Sequence, residues 1–332
     1  GNKIIRKPVG LDIPSGDSGI PDGWIVKEYY KGPVYLKNES NEVATFVVDD
    51  ILTYPIKLEY SLDNNQYKKY DLDNKPTVEI QPNQCIYLRG INTNVEFTKE
   101  LHFKFKLDKT FSSGGNPKYL LNYKDINSIK EIPIYCFNGC FANSEEIIKC
   151  DWDMSKITKI NTIGCGGMFN NCINLISIFD FPDLIEVDYQ GLLYFCNNCT
   201  SLEKGSEFPK LKIIGFKGCH YCFYNCIFMK DYNTTFSTVT DIDEFAFCGM
   251  FYADKNITTK FDFSNIKEVK NRAFQNITRG TTVAEIITPN INVWDTNNFI
   301  NWLPYNSSGT LYKPANLTIP SGDSGVPEGW TV

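Results

Sequence analysis

The apolar positions of the chain keep a strict beat through its second half. Phe141, Phe169, Cys196, Phe223 and Phe251 fall at intervals of 28, 27, 27 and 28 residues. Three residues after each stand Ser144, Cys172, Cys199, Cys226 and Asp254, and three further on the aliphatic column Ile147, Leu175, Leu202, Met229 and Ile257. The same beat returns in Met154, Phe181, Phe208, Phe236 and Phe263, then in Ile157, Leu184, Leu211, Val239 and Ile266, then in Ile160, Val187, Ile214, Ile242 and Val269. Six columns holding one period across five units specify a repeated structure. A unit of 27–28 residues cannot bury its apolar side alone, so neighbouring units must stack and share a core, which makes a solenoid. The aromatic-x-x-Cys-x-x-Leu stretch predicts a short helical turn leading into a strand. The stretches FPDLIEV at 181–187 and FPKLKII at 208–214 predict a second, short strand. After Val269 the phase weakens, and Ala273 to Trp302 reads as an irregular last unit.

The segment from Lys27 to about Lys109 has another texture. PVYLKN, EVATFVVDD, IKLEYSLD, TVEIQP, QCIYLRGIN and LHFKFKLD are short runs rich in β-branched and aromatic residues, separated by turn clusters. They predict an antiparallel β-sandwich of immunoglobulin-like size. Ile56, Leu58, Tyr60 and Leu62 alternate with polar residues, as do Leu101, Phe103, Phe105 and Leu107, so each run is expected to have one buried and one wet face. Phe111 to Pro117, with Ser-Ser-Gly-Gly-Asn between, reads as a flexible link. A second, longer repetition frames the chain: residues 11–26 recur at 317–332 with 12 of 16 positions identical. At the C-terminus this Gly/Pro/Ser-rich segment is expected to close the last rung. Its N-terminal copy reads as the end of a preceding array in a longer protein, or as one turn motif used at both ends.

Composition narrows the classes. The 332 residues, 42% apolar and 22% charged, are ordinary for a globular protein. A formal net charge of −6 argues against sequence-independent nucleic-acid binding, which needs a basic surface. No run approaches the ~18–20 apolar residues of a membrane span. The opening GNKIIRKPVG has neither Met nor an apolar signal stretch and reads as a processed or trimmed chain.

Few residues offer chemistry. Eleven of the twelve cysteines fall between Cys136 and Cys248. Cys196-x-x-Cys199 and Cys219-x-x-Cys222 have a zinc-ribbon spacing, yet Cys172, Cys199 and Cys226 are one repeat column, where a small side chain fills the space between rungs. Buried thiols are the first expectation, with inter-rung disulfides and zinc as the alternatives. His220, between Cys219 and Cys222, raises a Cys–His nucleophile pair, set against an ordinary residue of a repeat turn. The clearest surface signal is an acidic ladder: Asp153, Asp180, Glu207 and Asp262, with Thr235 in the remaining unit. Each follows a residue of the column Trp152, Phe179, Ser206, Thr234 and Phe261, so on a strand the acids are expected to face water. Such a ladder keeps a stack soluble, or docks a basic ligand surface, or holds Ca²⁺ weakly.

The repeat cores MFNNCINL and CFYNCIFM, the LEYSLDNNQYKKYDL…CIYLRG stretch and the closing GTLYKPANLTIPSGDSGVPEGW resemble the BspA-like leucine-rich-repeat surface proteins of Bacteroidetes and associated phages. The likeness covers nearly the whole chain. Cys196 at the aromatic position and Asp254 at the cysteine position depart from the pattern. The resemblance implies a mainly β protein: a tail or cap segment at 1–26, an Ig-like sandwich at 27–110 and a leucine-rich-repeat solenoid with its cap at 111–332. It implies a non-catalytic, extracellular adhesin that recognises a host or bacterial macromolecule, such as a host matrix protein or surface glycan. Beside it, the charge and the apolar runs give the expectations of no nucleic-acid partner and no transmembrane segment, and the residues those of no cofactor, no bound metal and a monomer. Asp153, Asp180, Glu207 and Asp262 are the candidate ligand-binding residues. A structural spacer or virion component is the alternative, followed by an accessory module of a glycan-degrading enzyme.

Overall fold

The computed structural model describes residues 4–8, 25–29, 32–50, 57–91, 102–230, 232, 236–258, 260–304 and 308–332. Among these the protein is mainly β, with several sheets and no closed barrel. The repeat columns become stacked rungs. Glu131–Ile132, Lys159–Ile160, Glu186–Val187, Ile213–Ile214 and Asp241–Ile242 pair in parallel in that order, each pairing joining equivalent residues of successive units. Their second residues are buried, so one aliphatic side chain per unit enters a shared core. The second strands expected at 181–187 and 208–214 thus occupy only the ends of those stretches.

From each of these strands the chain crosses the stack in consecutive tight turns, which corrects the expected helical turn. The one helix among the described residues is Lys118–Asn122. The reason lies in how backbone donors are shared. In the second unit the N–H groups of Gly164, Gly166, Met168 and Asn170 bond to carbonyls three residues back, as turns do. Those of Ile163, Cys165, Gly167, Phe169 and Asn171 donate instead to Tyr189, Gly191, Leu193, Phe195 and Asn197 of the next unit. Every buried donor must find an acceptor, and here half find it on the neighbouring rung, so no α-helix can form. Every fourth residue of the layer takes positive φ: Ile163, Gly167 and Asn171, then Gln190, Tyr194 and Asn198, then Lys217, Tyr221 and Asn225.

Aromatic rings fill the core. Phe141 stacks on Phe169 at 5.6 Å, and Phe223 on Phe251 at 5.8 Å. Where Cys196 breaks the aromatic column, its neighbour Phe195 supplies the ring, 5.5 Å from Phe169 and 6.4 Å from Phe223. The stretch 273–302 corrects the expectation of an irregular last unit. Phe247, Gly249 and Phe251 donate to Ala273, Gln275 and Ile277, and Phe274, Asn276 and Thr278 donate in turn to Asn298, Ile300 and Trp302. Stacking therefore continues after the sequence period fades.

The N-terminal region is antiparallel and carries six strands within the six expected runs: Val34–Asn38, Ala44–Asp50, Lys57–Ser61, Val78–Ile80, Cys85–Ile91 and Lys104–Leu107. Phe103, Phe105 and Leu107 are buried as their alternation predicts; Leu101 lies outside the described residues. The other alternating run breaks phase: Leu58 is buried, but Ser61 is buried and Leu62 exposed, because Ser61 donates to Asp63 Oδ1 as the chain turns. Ile56 lies outside the described residues.

The expected link at 111–117 is replaced by the strand Phe111–Gly115, which pairs antiparallel with Val34–Asn38 and parallel with Ile147–Trp152. One seven-stranded sheet therefore runs from the antiparallel region into the repeats, in the order Ser177–Ile178, Ile147–Trp152, Phe111–Gly115, Val34–Asn38, Cys85–Ile91, Lys57–Ser61, Lys68–Lys69. Small residues suit the junction. Gly115 has φ +96° and lies against Pro33, and a Cβ at Gly114 would strike the Tyr35 ring. On the other side, Phe103 and Phe105 donate to the carbonyls of Cys136 and Cys140 in the first turn layer. The antiparallel region thereby covers the open end of the stack, which would otherwise expose apolar side chains and unpaired backbone groups.

The far end is closed by the parallel sheet Phe261–Asp262, Glu285–Ile287, Gly309–Tyr312 and Trp330–Thr331. The indole N–H of Trp302 donates to Gly325 O at 2.8 Å and that of Trp294 to Ser324 O at 2.9 Å, pinning the duplicated SGDSG turn. The N-terminal copy forms a like pair: Ile4–Pro8 lies parallel to Ile25–Tyr29, with Ile4 opposite Ile25 as Thr310 is opposite Thr331. Residues 9–24 lie outside the described residues.

Candidate functional site

The acidic ladder is not an open row of carboxylates. Expected to face water, all four acids are half-buried. Asp180 and Glu207 are brought together around the Lys204 ammonium, at 3.4 and 3.2 Å, and Asp180 Oδ1 also accepts the Glu207 N–H at 3.2 Å. Burial pulls the Lys204 pKa down, but Asp180 and Glu207 outweigh it and hold the group above its ordinary value. Asp153 Oδ1 accepts the Ser155 N–H at 3.0 Å, and Asp262 Oδ1 the Ser264 N–H at 2.9 Å, each closing a local turn. Trp152, Phe179, Ser206 and Phe261 are buried as expected, with Ser206 donating to Phe179 O; Thr234 and Thr235 lie outside the described residues.

The cysteines serve the stack. All twelve are free thiols, and the eleven in the repeats are buried. Cys172, Cys199 and Cys226 each donate Sγ–H to a carbonyl of the preceding unit, Phe141, Phe169 and Cys196, at 2.9, 2.9 and 3.0 Å. Burial raises Cys136, Cys140, Cys196 and Cys222 well above the ordinary thiol value, so little thiolate exists at neutral pH to attack a substrate or ligate a metal. Among the described residues no group of three or more His, Cys, Asp or Glu is placed to hold a metal ion. His220 is buried, and burial followed by Lys217 lowers its pKa to about 4, leaving a neutral ring whose Nδ1 has no partner.

Asp254 replaces the next cysteine of that column and is fully buried. Its Oδ1 accepts the Cys226 N–H at 2.6 Å, while Oδ2 has no hydrogen-bond partner. Burial raises its pKa well above the ordinary value, only partly opposed by that hydrogen bond.

Sequence reasoning passed over the outward side of the turn layer. Asn143, Asn171, Asn198 and Asn225 share a positive-φ column, and each side-chain amide donates to the one before it at 2.9, 2.9 and 3.0 Å. Three aromatic pairs stack beside them: Tyr189 on Phe216, Tyr194 on Tyr221, and Tyr224 on Tyr252, with centroids 5.4, 5.6 and 5.1 Å apart. The signal was available in the same alignment, as columns whose members are polar, glycine or aromatic rather than uniformly apolar. Compared with family models, with curated proteins and with solved structures, the chain matches none.

Proposed function

We propose that the chain is a non-catalytic binding protein of the BspA-like type, an Ig-like β-sandwich followed by a leucine-rich-repeat solenoid, acting at a cell surface on a host or bacterial protein or glycan. The observation that supports this reading is the ordered display across the turn layer. Backbone bonds tie alternate residues of the layer to the next unit, and side-chain amides tie the members of the Asn143 column to one another, so a partner meets a surface that is already arranged. Little conformational entropy is then lost on binding. The strand-face acids Asp153, Asp180, Glu207 and Asp262 are one candidate contact row on that frame.

The test is a binding screen of the chain against immobilised matrix proteins and a glycan array at low and high salt. A variant carrying Asp153→Asn, Asp180→Asn, Glu207→Gln and Asp262→Asn runs alongside. A saturable hit supports the reading, and its loss in the variant assigns it to the acids. The absence of any hit favours the second reading, a structural spacer. That alternative draws on the two ends of the chain, which share a sequence and a strand register.

A further inference from the structure

The outward side of the turn layer carries aromatic residues that its period does not require. One positive-φ column reads Gly139, Gly167, Tyr194, Tyr221, Gly249 and Asn276. Glycine enters this backbone freely, whereas a bulky L-residue is strained there. Tyr194 and Tyr221, at φ 54° and 51°, take it on adjacent rungs and stack with 14° between their planes. Tyr189 and Phe216 fill a column that holds Thr162, Glu244 and Asn271 in other units, and Tyr224 and Tyr252 one that holds Ala142, Asn170, Asn197 and Arg279. The rings are thus confined to neighbouring units, and packing of the shared core does not account for them. Tyr189 and Tyr194 remain 43% and 40% exposed.

The Arg279 guanidinium sits 5.9 Å from the Tyr252 centroid, and two further cations stand beside Phe216 and Phe245. Lys217 Nζ sits 5.2 Å from the Phe216 centroid and 5.4 Å from that of Phe245, and the Arg272 guanidinium 5.8 Å from Phe245. Neither makes an ion pair among the described residues, whereas Lys270 at the border is paired with Asp243 at 3.4 Å. A cation resting on a ring is positioned by it yet keeps its charge for an incoming group.

We propose that this aromatic and cationic stripe is the docking surface for an acidic protein segment, whose carboxylates pair with Lys217 and Arg272 while its side chains pack on the tyrosines. The inference rests on the binding role proposed above and gives it a surface and a partner class. A polypeptide is favoured over a glycan because the rings of each pair cover part of one another's faces. A sugar stacks on an open face, whereas stacking within each pair covers one face of each ring. Tyrosine with arginine, flanked by asparagine and glycine, is also the residue mixture of protein-binding surfaces.

The test uses the full chain on sensor surfaces bearing a random glutamate–tyrosine copolymer, polyglutamate or heparin, at low and high salt. Two variants accompany it: Lys217→Glu with Arg272→Glu, and Tyr194→Gly with Tyr221→Gly. Glycine already fills the second pair's column at 167 and 249, so the backbone is retained there, and the charge variant is an independent arm. Expected is salt-sensitive binding to the copolymer that weakens about tenfold or more in each variant, in the range of an interface hot spot, with unfolding midpoints little changed. No binding to either polypeptide, or binding indifferent to both variants, overturns the proposal. Heparin bound as tightly as the copolymer, and lost in the same variants, overturns the choice of a protein partner. A hit in the matrix and glycan screen that both variants retain leaves the binding role standing and removes this surface from it. Failure in both experiments removes both.

Discussion

On the strand side of the stack Lys204 lies between Asp180 and Glu207, and Asp153 and Asp262 accept backbone N–H groups of their own turns. On the turn side Lys217 and Arg272 rest on phenyl rings and make no ion pair among the described residues. Both sides obey one period, yet the first consumes its charges internally and the second leaves them available. A charged residue that recurs in phase is thus not a free surface by that fact. On the strand side Asp153 and Asp262 serve as acceptors for their own turns, and Asp180 and Glu207 share one lysine. The interruptions of a column, Tyr194 among glycines or Asp254 among cysteines, mark places where something other than stacking sets the residue.

The contrast can be broken first at the core the two sides share. Phe223 is fully buried and stacks on Phe251, so Phe223→Ala is expected to lose about 3–5 kcal/mol in denaturant unfolding. A loss below about 1 kcal/mol would mean the units do not depend on a common core. Asp254→Cys restores the column and removes a buried carboxyl with an unpartnered oxygen, and should gain about 2 kcal/mol at neutral pH under reducing conditions. The folded state holds the Asp254 proton more tightly than the unfolded chain does. Its contribution is therefore most favourable below the ordinary value of 3.8 and declines as pH rises above it. Urea unfolding across mildly acidic to neutral pH should show that decline in the wild type and lack it in the variant.

On the strand side, Lys204→Met leaves two half-buried carboxylates without their cation and should lower stability by about 1 kcal/mol, given its partial exposure. An unchanged midpoint would show that Asp180 and Glu207 are as open as the sequence suggested. The smallest effect belongs to the turn side. Tyr194→Gly loses a ring contact of about 1 kcal/mol and relieves a left-handed side chain of similar cost, so thermal unfolding should shift little. A large destabilisation would make Tyr194 a structural residue like Phe223.

The inward columns were legible because a shared core admits one size and polarity at each position, and Phe169, Leu184 and Val187 read as buried without any structure. The six antiparallel runs were legible for the same reason, as Phe103, Phe105 and Leu107 show. Phe111–Gly115 was not, because Ser-Ser-Gly-Gly has the composition of a loop. It becomes a strand only through Val34–Asn38 and Ile147–Trp152 on its two sides. The turn layer hid in the Gly and Asn columns at 139 and 143, which signal positive φ but not that alternate donors cross to the next rung. The acids at 153, 180, 207 and 262 were visible as a ladder. Their occupation by Lys204 and by turn N–H groups was not, since the Lys204 column carries Ser177 in one unit and Lys149, paired with Asp151, in another.

The shared sheet at Phe111–Gly115 has a mechanical consequence. Two bodies tied by a loop swivel independently, whereas two that contribute neighbouring strands to one sheet have no joint between them. Torque delivered to Tyr194 or Tyr221 by a captured partner would travel along the rungs, through the pairing of Ile147–Trp152 with Phe111–Gly115, and into Val34–Asn38 without a hinge to dissipate it. Whatever is held on the stripe would then keep a fixed angle to the antiparallel region, as a tool does to its handle.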